Sequence, residues 1–345
     1  MGVAVVVLAE GTFLLMVLLP QKFKSLPGAT NLPLKKTVGL RTKRDIRKPD
    51  KPLRGIFVIV ATPYTESKAV DYEDLAREVD WQNRCGAHGI VWPQMASEYN
   101  RLTVEERLHG FEVIADAAKG KPAAVVFGVQ GPDTAAALNY LRHAEKLSPD
   151  AFIAIPPEKG DSLEDYRAYY GALARATDRP IFIQDTGPHN PTHMPVPFII
   201  GLANAHPNLG YIKEELSAVL DRMCELQAHR PPMKRVFSGD GGRGMLAEMS
   251  QGSDGTMPGA GYTDVYVQIW DAWQAGNRRK AREIFMHLLP LINLEELVEL
   301  GYQHMLHRRG VFKTSVTRIP RTSMSPEIKA EIDAAFEGLK PYLRV

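Results

Sequence analysis

From Gly55 onward, short apolar runs alternate with longer amphipathic stretches. The runs are Gly55–Val60 (GIFVIV), Gly89–Pro93 (GIVWP), Ala123–Val129 (AAVVFGV), Ala151–Ile155 (AFIAI), Pro180–Asp185 (PIFIQD), Leu209–Glu215 (LGYIKEE), Arg235–Gly239 (RVFSG) and Asp254–Pro258 (DGTMP). Most are continuously apolar instead of alternating, the form of parallel strands buried on both faces. Between them, Tyr72–Cys85, Thr103–Ala118, Thr134–Leu147, Leu163–Ala176, Val196–Ala205, Ala218–Ala228 and Thr263–Ala275 carry apolar positions at helical spacing. Eight strand-like runs separated by helices predict an α/β fold, a (β/α)8 TIM barrel over residues 55–276. The rival, a doubly wound open sheet, brings a glycine fingerprint after its first strand, and here that turn reads Ala61-Thr62-Pro63-Tyr64. Residues 277–345 read as a C-terminal helical extension.

Residues 1–54 break the pattern. Met1–Leu19 is apolar apart from Glu10 and Thr12, and Pro20–Arg54 is rich in Pro, Lys and Arg without a steady period. Three readings compete for this stretch. A secretory signal wants a positive start, but the first basic residue is Lys22. A membrane anchor is long enough, yet Glu10 in mid-span costs about 3 kcal/mol. A disordered basic extension meets neither objection and is the expectation. The segment holds eleven Lys and Arg against Glu10, Asp45 and Asp50, a net +8, so the overall +2 conceals −6 on the rest of the chain. That disfavours a nucleic-acid partner, because phosphate neutralisation needs clustered positive charge on the folded surface. Two cysteines, Cys85 and Cys224, build no disulfide framework and fit a reducing cytoplasm.

In a barrel, chemistry sits where strands run into the loops that follow, and the sixth run supplies the sharpest candidate: Tyr211-Ile212-Lys213-Glu214-Glu215. A lysine ending an apolar strand is costly unless paired or used, since burial disfavours the charged ammonium. A Schiff-base lysine exploits that pressure. Side chains alternate along a strand, so Lys213 and Glu215 share one face and Glu214 takes the other. An amine and a carboxylate in one pocket suit covalent and acid–base work; a structural ion pair is the bland alternative.

At these residues the chain resembles the class I aldolase family of dihydrodipicolinate synthase and N-acetylneuraminate lyase, over most of residues 53–315. The matching pieces are Thr62-Pro63, GIVWPQMASEYNRLT, Ile155-Pro156-Pro157, IQD at 183–185, IKE at 212–214 and Ser238-Gly239-Asp240. The resemblance implies a Schiff base between Lys213 and a 2-keto acid, with no metal or organic cofactor. It also implies a homo-oligomer, tetramer or dimer. Departures narrow it. The tyrosine that shuttles a proton in family lyases is replaced by Pro156-Pro157-Glu158, and Met95-Ala96-Ser97-Glu98 stands in the carboxylate-binding loop, where Ala96 and Ser97 can still offer main-chain N–H groups. These departures are similar to those of a branch that dehydrates 2-keto-3-deoxy sugar acids such as L-2-keto-3-deoxyarabonate to 2-oxoglutarate semialdehyde. The branch pattern is Ser97-Glu98-Tyr99, Gln184-Asp185, Lys213 with Glu215, and Leu289–Asn293. The likeness assigns Lys213 and Glu215 catalysis, and Ala96, Ser97, Gln184 and Asp240 substrate binding.

Two other outcomes stay open: a retro-aldol lyase releasing pyruvate, with Glu158 or a water in place of the tyrosine, and a catalytically silent keto-acid-binding barrel. Glu158 otherwise reads as a rim carboxylate. Asp240, within SGDGG, is first a turn-shaping residue. His189 and His193 in GPHNPTH lack a third ligand for zinc, so one of them could at most contact a distal substrate hydroxyl. His304 and His307 read as surface residues.

Overall fold

The computed structural model describes residues 47–186, 192–297, 302–319 and 325–345, with the backbone of residues 7–8 and 11–12. The chain divides into two units, Met1–Lys43 and Arg44–Val345. In the first, Val7–Leu8 pairs antiparallel with Gly11–Thr12. The readings of Met1–Leu19 as signal, anchor or extension otherwise fall outside the described residues. Among the described residues no helix is long and apolar enough to cross a membrane.

The second unit is a closed barrel of eight parallel strands. These are β1 (Gly55–Ile59), β2 (Gly89–Trp92), β3 (Ala124–Gly128), β4 (Ala151–Ala154), β5 (Ile181–Asp185), β6 (Tyr211–Glu214), β7 (Arg235–Ser238) and β8 (Gly255–Thr256). Each matches one of the predicted runs, and the expected TIM barrel is borne out. Both faces of the sheet are apolar, as the runs required. Phe57, Val91, Val126, Ile153, Phe182, Tyr211 and Phe237 point inward and form one cluster. Their neighbours Ile56, Val58, Ile90, Val125, Phe152, Ile183 and Ile212 point outward into the helix layer. Aromatic rings fill the barrel: the Phe182 centroid lies 5.3 Å from that of Phe237 and 5.5 Å from that of Tyr211. Strand β8 closes the barrel through Gly255 because a side chain there has no room. A Cβ would sit 2.1 Å from the Gly55 carbonyl oxygen and 2.4 Å from the Phe237 ring.

Helices α1 (Tyr72–Arg84), α2 (Val104–Ala117), α3 (Thr134–Glu145), α4 (Leu163–Ala176), α5 (Val196–Ala205), α6 (Val219–Ala228), α7 (Met245–Ser250) and α8 (Thr263–Gln274) follow the eight strands in turn. The starts are written in the sequence. Asp71, Thr103, Asp133 and Ser162 each accept from a backbone N–H three residues on, and Thr103 with Glu106 and Ser162 with Asp165 complete capping boxes. Helices α9 (Arg278–Leu297), α10 (Tyr302–Arg308) and α11 (Pro326–Leu339) form the expected extension.

Residues 47–54 depart from expectation. The basic extension expected over residues 1–54 includes them, yet they are folded against the barrel. Leu53 is buried in the barrel's inner cluster, its carbonyl accepts from Arg235 Nε at 2.9 Å, and Lys51 Nζ donates to the Ala123 carbonyl at 2.7 Å. A basic composition hid a single apolar plug, flanked by Lys51 on the Ala123 carbonyl and by Arg54, which donates to Gln274 Oε1 at 3.0 Å.

The C-terminal extension is fastened by charge. Arg309 makes a two-pronged pair with Asp264 at 2.9 Å on both arms, with side chains 3% and 0% exposed. Arg309→Met would leave a buried carboxylate without its cation and is expected to destabilise the fold by about 3–5 kcal/mol, read from denaturant unfolding. An unchanged midpoint would show that the pair contributes nothing.

Candidate active site

A cavity of about 640 Å³ opens at the C-terminal ends of the strands. Ile59 of β1, Gln184 of β5 and Lys213 of β6 line it, with Gln94, Ala96 and Glu98 after β2, Asp240 after β7 and Met257 after β8. This is the face where barrels keep their chemistry.

Lys213 follows Tyr211 on the inner face of β6, and Glu215 lies one position past the strand, still in register through its N–H to the Asp185 carbonyl at 3.1 Å. The alternation expected from sequence therefore holds. Lys213 Nζ lies 3.0 Å from Glu215 Oε1, with the two side chains 7% and 16% exposed. Glu214 faces outward and, with Asp185, takes the Arg222 guanidinium at 3.0 Å. Burial pushes the Glu214 carboxyl up to about 7 despite that arginine, and the nearby Asp185 adds to the rise.

Glu215 is held by three donors. Besides Lys213, Gln184 Nε2 donates to Oε2 at 2.7 Å and the Asp240 backbone N–H donates to Oε1 at 3.0 Å. Burial pushes this carboxyl up, but Lys213 and the two hydrogen bonds outweigh it and leave it below the ordinary glutamate value of 4.5. An ionised base is thus fixed against the amine. Gly239 makes room for it: a Cβ there would sit 2.2 Å from Glu215 Oε1 and 2.5 Å from its Cδ. Gly239→Ala must turn the carboxylate away from Lys213. Turnover is expected to fall roughly tenfold, less than on losing the carboxyl, because a displaced base still works. Full activity in that variant would show that the placement of Glu215 is not critical.

The other expected site residues divide. Ala96, Gln184 and Asp240 line the cavity. Ser97 does not. Its hydroxyl donates to the Val60 carbonyl at 2.5 Å and accepts from the Gln94 N–H, while its own N–H is taken by the Gln94 carbonyl at 2.9 Å. The expected main-chain contribution from Ser97 is spent on the turn, whose carbonyl Thr62 Oγ1 also binds at 2.5 Å. Asp240 has its carboxylate on Arg243 and gives the site its N–H, so it acts as the turn residue of the first reading. Glu98 clasps the C-terminal strap: it accepts from Gln303 Nε2 and the Arg318 N–H, each at 3.0 Å, and from Thr317 Oγ1. Glu158 and His193 are exposed, and His189 lies outside the described residues. His307 is exposed and His304 half-buried. Among the described residues no three His, Cys, Asp or Glu side chains are grouped to hold a metal ion.

Part of the site was missed from sequence. Glu295 and Glu296 of α9, Tyr302 of α10, and Tyr262 and Tyr266 around the start of α8 also line the cavity. Glu295 had a signal: it falls four residues after Leu291 and seven after Leu288, so a carboxylate occupies the buried stripe of its helix.

Known proteins agree with this architecture. Residues 52–338 match the model of the dihydrodipicolinate synthetase family. The chain is 26% identical over 297 residues to L-2-keto-3-deoxyarabonate dehydratase of Azospirillum brasilense, covering 84% of this chain and 96% of that protein. It is 28% identical over 292 residues to 4-hydroxy-tetrahydrodipicolinate synthase of Chlorobaculum parvum, covering 83% and 97%. The solved structure of dihydrodipicolinate synthase from Rhodopseudomonas palustris superposes with a TM-score of 0.76 at 23% identity, covering 83% and 97%, and shares the fold. With the family model spanning most of the chain and the barrel complete, the protein belongs to the dihydrodipicolinate synthetase family, and it is a lyase.

Proposed function

We propose that the protein is a Schiff-base hydro-lyase that dehydrates a 2-keto-3-deoxy sugar acid of the L-2-keto-3-deoxyarabonate class. One observation carries the reading: the 3.0 Å pair of Lys213 Nζ and Glu215 Oε1 inside the cavity, with Gln184 and the Asp240 N–H fixing the carboxylate. The name of the Azospirillum relative supports the substrate class.

The steps use only these groups. Lys213 passes a proton to Glu215 along their hydrogen bond, and the neutral amine adds to C2 of the keto acid. Glu215 returns that proton to the carbinolamine oxygen, water leaves, and an iminium remains. The iminium is an electron sink, so the carboxylate can take a C3 proton to give the enamine. The enamine expels the C4 hydroxyl, which departs as water with the proton held by Glu215. Loss of a C5 proton gives a conjugated dienamine, protonation at C3 leaves a C4=C5 enol on the iminium, and that enol loses its hydroxyl proton and gains one at C4 to become the C5 aldehyde. Hydrolysis then frees Lys213 and, from L-2-keto-3-deoxyarabonate, 2-oxoglutarate semialdehyde. No carbon–carbon bond breaks, consistent with Pro156-Pro157-Glu158 replacing the family's Pro-Tyr-Tyr, so that Glu158 stands where the proton-shuttling tyrosine would be. A homo-oligomer and a cytoplasmic setting belong to the same reading.

The test is a screen of pentose- and hexose-derived 2-keto-3-deoxy acids with products identified by mass. Loss of one water from a pentose-derived acid is the expected result. Release of pyruvate would instead establish the retro-aldol reading, and no turnover of any acid would leave a keto-acid-binding barrel.

A further inference from the structure

The C-terminal helices build a wall of the cavity that the chemistry above leaves unused. Glu295 on α9 is 5% exposed, and the Tyr262 hydroxyl donates to its Oε1 at 2.7 Å. Among the described residues its Oε2 makes no hydrogen bond. Burial pushes the Glu295 carboxyl up to about 8, opposed by the tyrosine bond, so at neutral pH it carries its proton. The titratable groups sharing this wall are Tyr262, Tyr266, Tyr302, Glu296 and Arg243. The three tyrosines are pushed up by burial and stay neutral, and Arg243 is paired with Asp240 and approaches Glu296 at 3.8 Å. Among the described residues no cation pairs with Glu295, and apart from Arg243 with its Asp240 and Glu296 partners the wall offers hydroxyls and one carboxylic acid.

Such a wall suits a neutral hydroxylated chain. A second carboxylate or a phosphate would meet no free cation there, and an alkyl chain would leave a buried O–H without an acceptor. Lys213 and Glu215 line the same cavity, so a substrate bound to Lys213 through C2 can direct its remaining carbons toward this wall. We propose that Glu295 is a specificity-determining residue that donates a hydrogen bond from its carboxylic acid to a hydroxyl on the far carbons of the substrate, with Tyr262 fixing the carboxyl. The assignment rests on the keto-acid reading of Lys213.

The test follows the concentration dependence of borohydride trapping at Lys213 in the full-length protein. Pyruvate, which has no far carbons, is compared with a pentose-derived 2-keto-3-deoxy acid. Glu295→Leu is expected to raise the half-saturating concentration of the hydroxylated acid at least about tenfold and that of pyruvate by less than about twofold. Glu295→Gln keeps a neutral donor and should stay within about threefold of the parent for both. In the unaltered protein, which removes any question of folding, the hydroxylated acid should half-saturate at least about tenfold lower than 2-oxopentanoate, the same carbon chain without hydroxyls. Equal half-saturation of those two acids, or equal weakening of both acids by Glu295→Leu, would overturn the assignment. Failure of the unaltered protein to trap any of the acids at Lys213 would overturn the keto-acid reading, and this assignment with it.

Discussion

Glu215→Gln is expected to lower turnover by at least about a hundredfold, while a keto acid still forms an adduct at Lys213 more slowly, with water taking the proton in place of the carboxylate. Glutamine keeps the shape, and its carbonyl oxygen in the Oε1 position can still accept from the Asp240 N–H, but its amide cannot take the C3 proton. The pH profile offers a second readout. Burial raises the Glu215 carboxyl, and Lys213 with the two hydrogen bonds lowers it further than that, to below 4.5. The base form therefore persists into mild acid, and the acid limb of kcat/KM attributable to Glu215 should lie below that value. The same shift bears on stability. A depressed folded-state pKa stabilises the fold above the unfolded value, and that contribution is lost as pH falls through the folded one. An unchanged rate in Glu215→Gln would remove it from the mechanism.

Lys213→Met should abolish both turnover and adduct formation. Methionine fills the same slot beyond Tyr211 on the inner face of β6, but it offers no nucleophile. The substitution also strips Glu215 of its cation, and a buried carboxylate left with only hydrogen bonds costs up to about 3 kcal/mol. The carboxyl should respond by rising above its ordinary range, since burial then dominates. A folded, inactive protein with a lowered unfolding midpoint is the expected result. Retained turnover would place the nucleophile elsewhere.

Much of this site could be read from sequence because it depends on local geometry. Period-two alternation put Lys213 and Glu215 on one face and Glu214 on the other, and the near-continuous apolar runs located all eight strands. What escaped depends on where distant segments meet. Ser97 looked like a substrate group from its place in the loop, but its hydroxyl and N–H are consumed in the turn with Val60 and Gln94. Glu98, which in the sequence is only one letter of that loop's motif, is the clasp for residues 303–318. The wall formed by Tyr262, Glu295 and Tyr302 brings together residues that no local period relates, although the carboxylate on the apolar stripe of α9 was a visible irregularity. The plug at Leu53 escaped because one apolar residue in a basic run gives no periodic signal.

The central claim is that Lys213 is the nucleophile. Borohydride reduction in the presence of pyruvate, followed by mass spectrometry of the digested protein, tests it most directly. A reduced pyruvyl adduct confined to Lys213 is predicted; a protein that acquires no adduct, or acquires it at another lysine, would contradict the account.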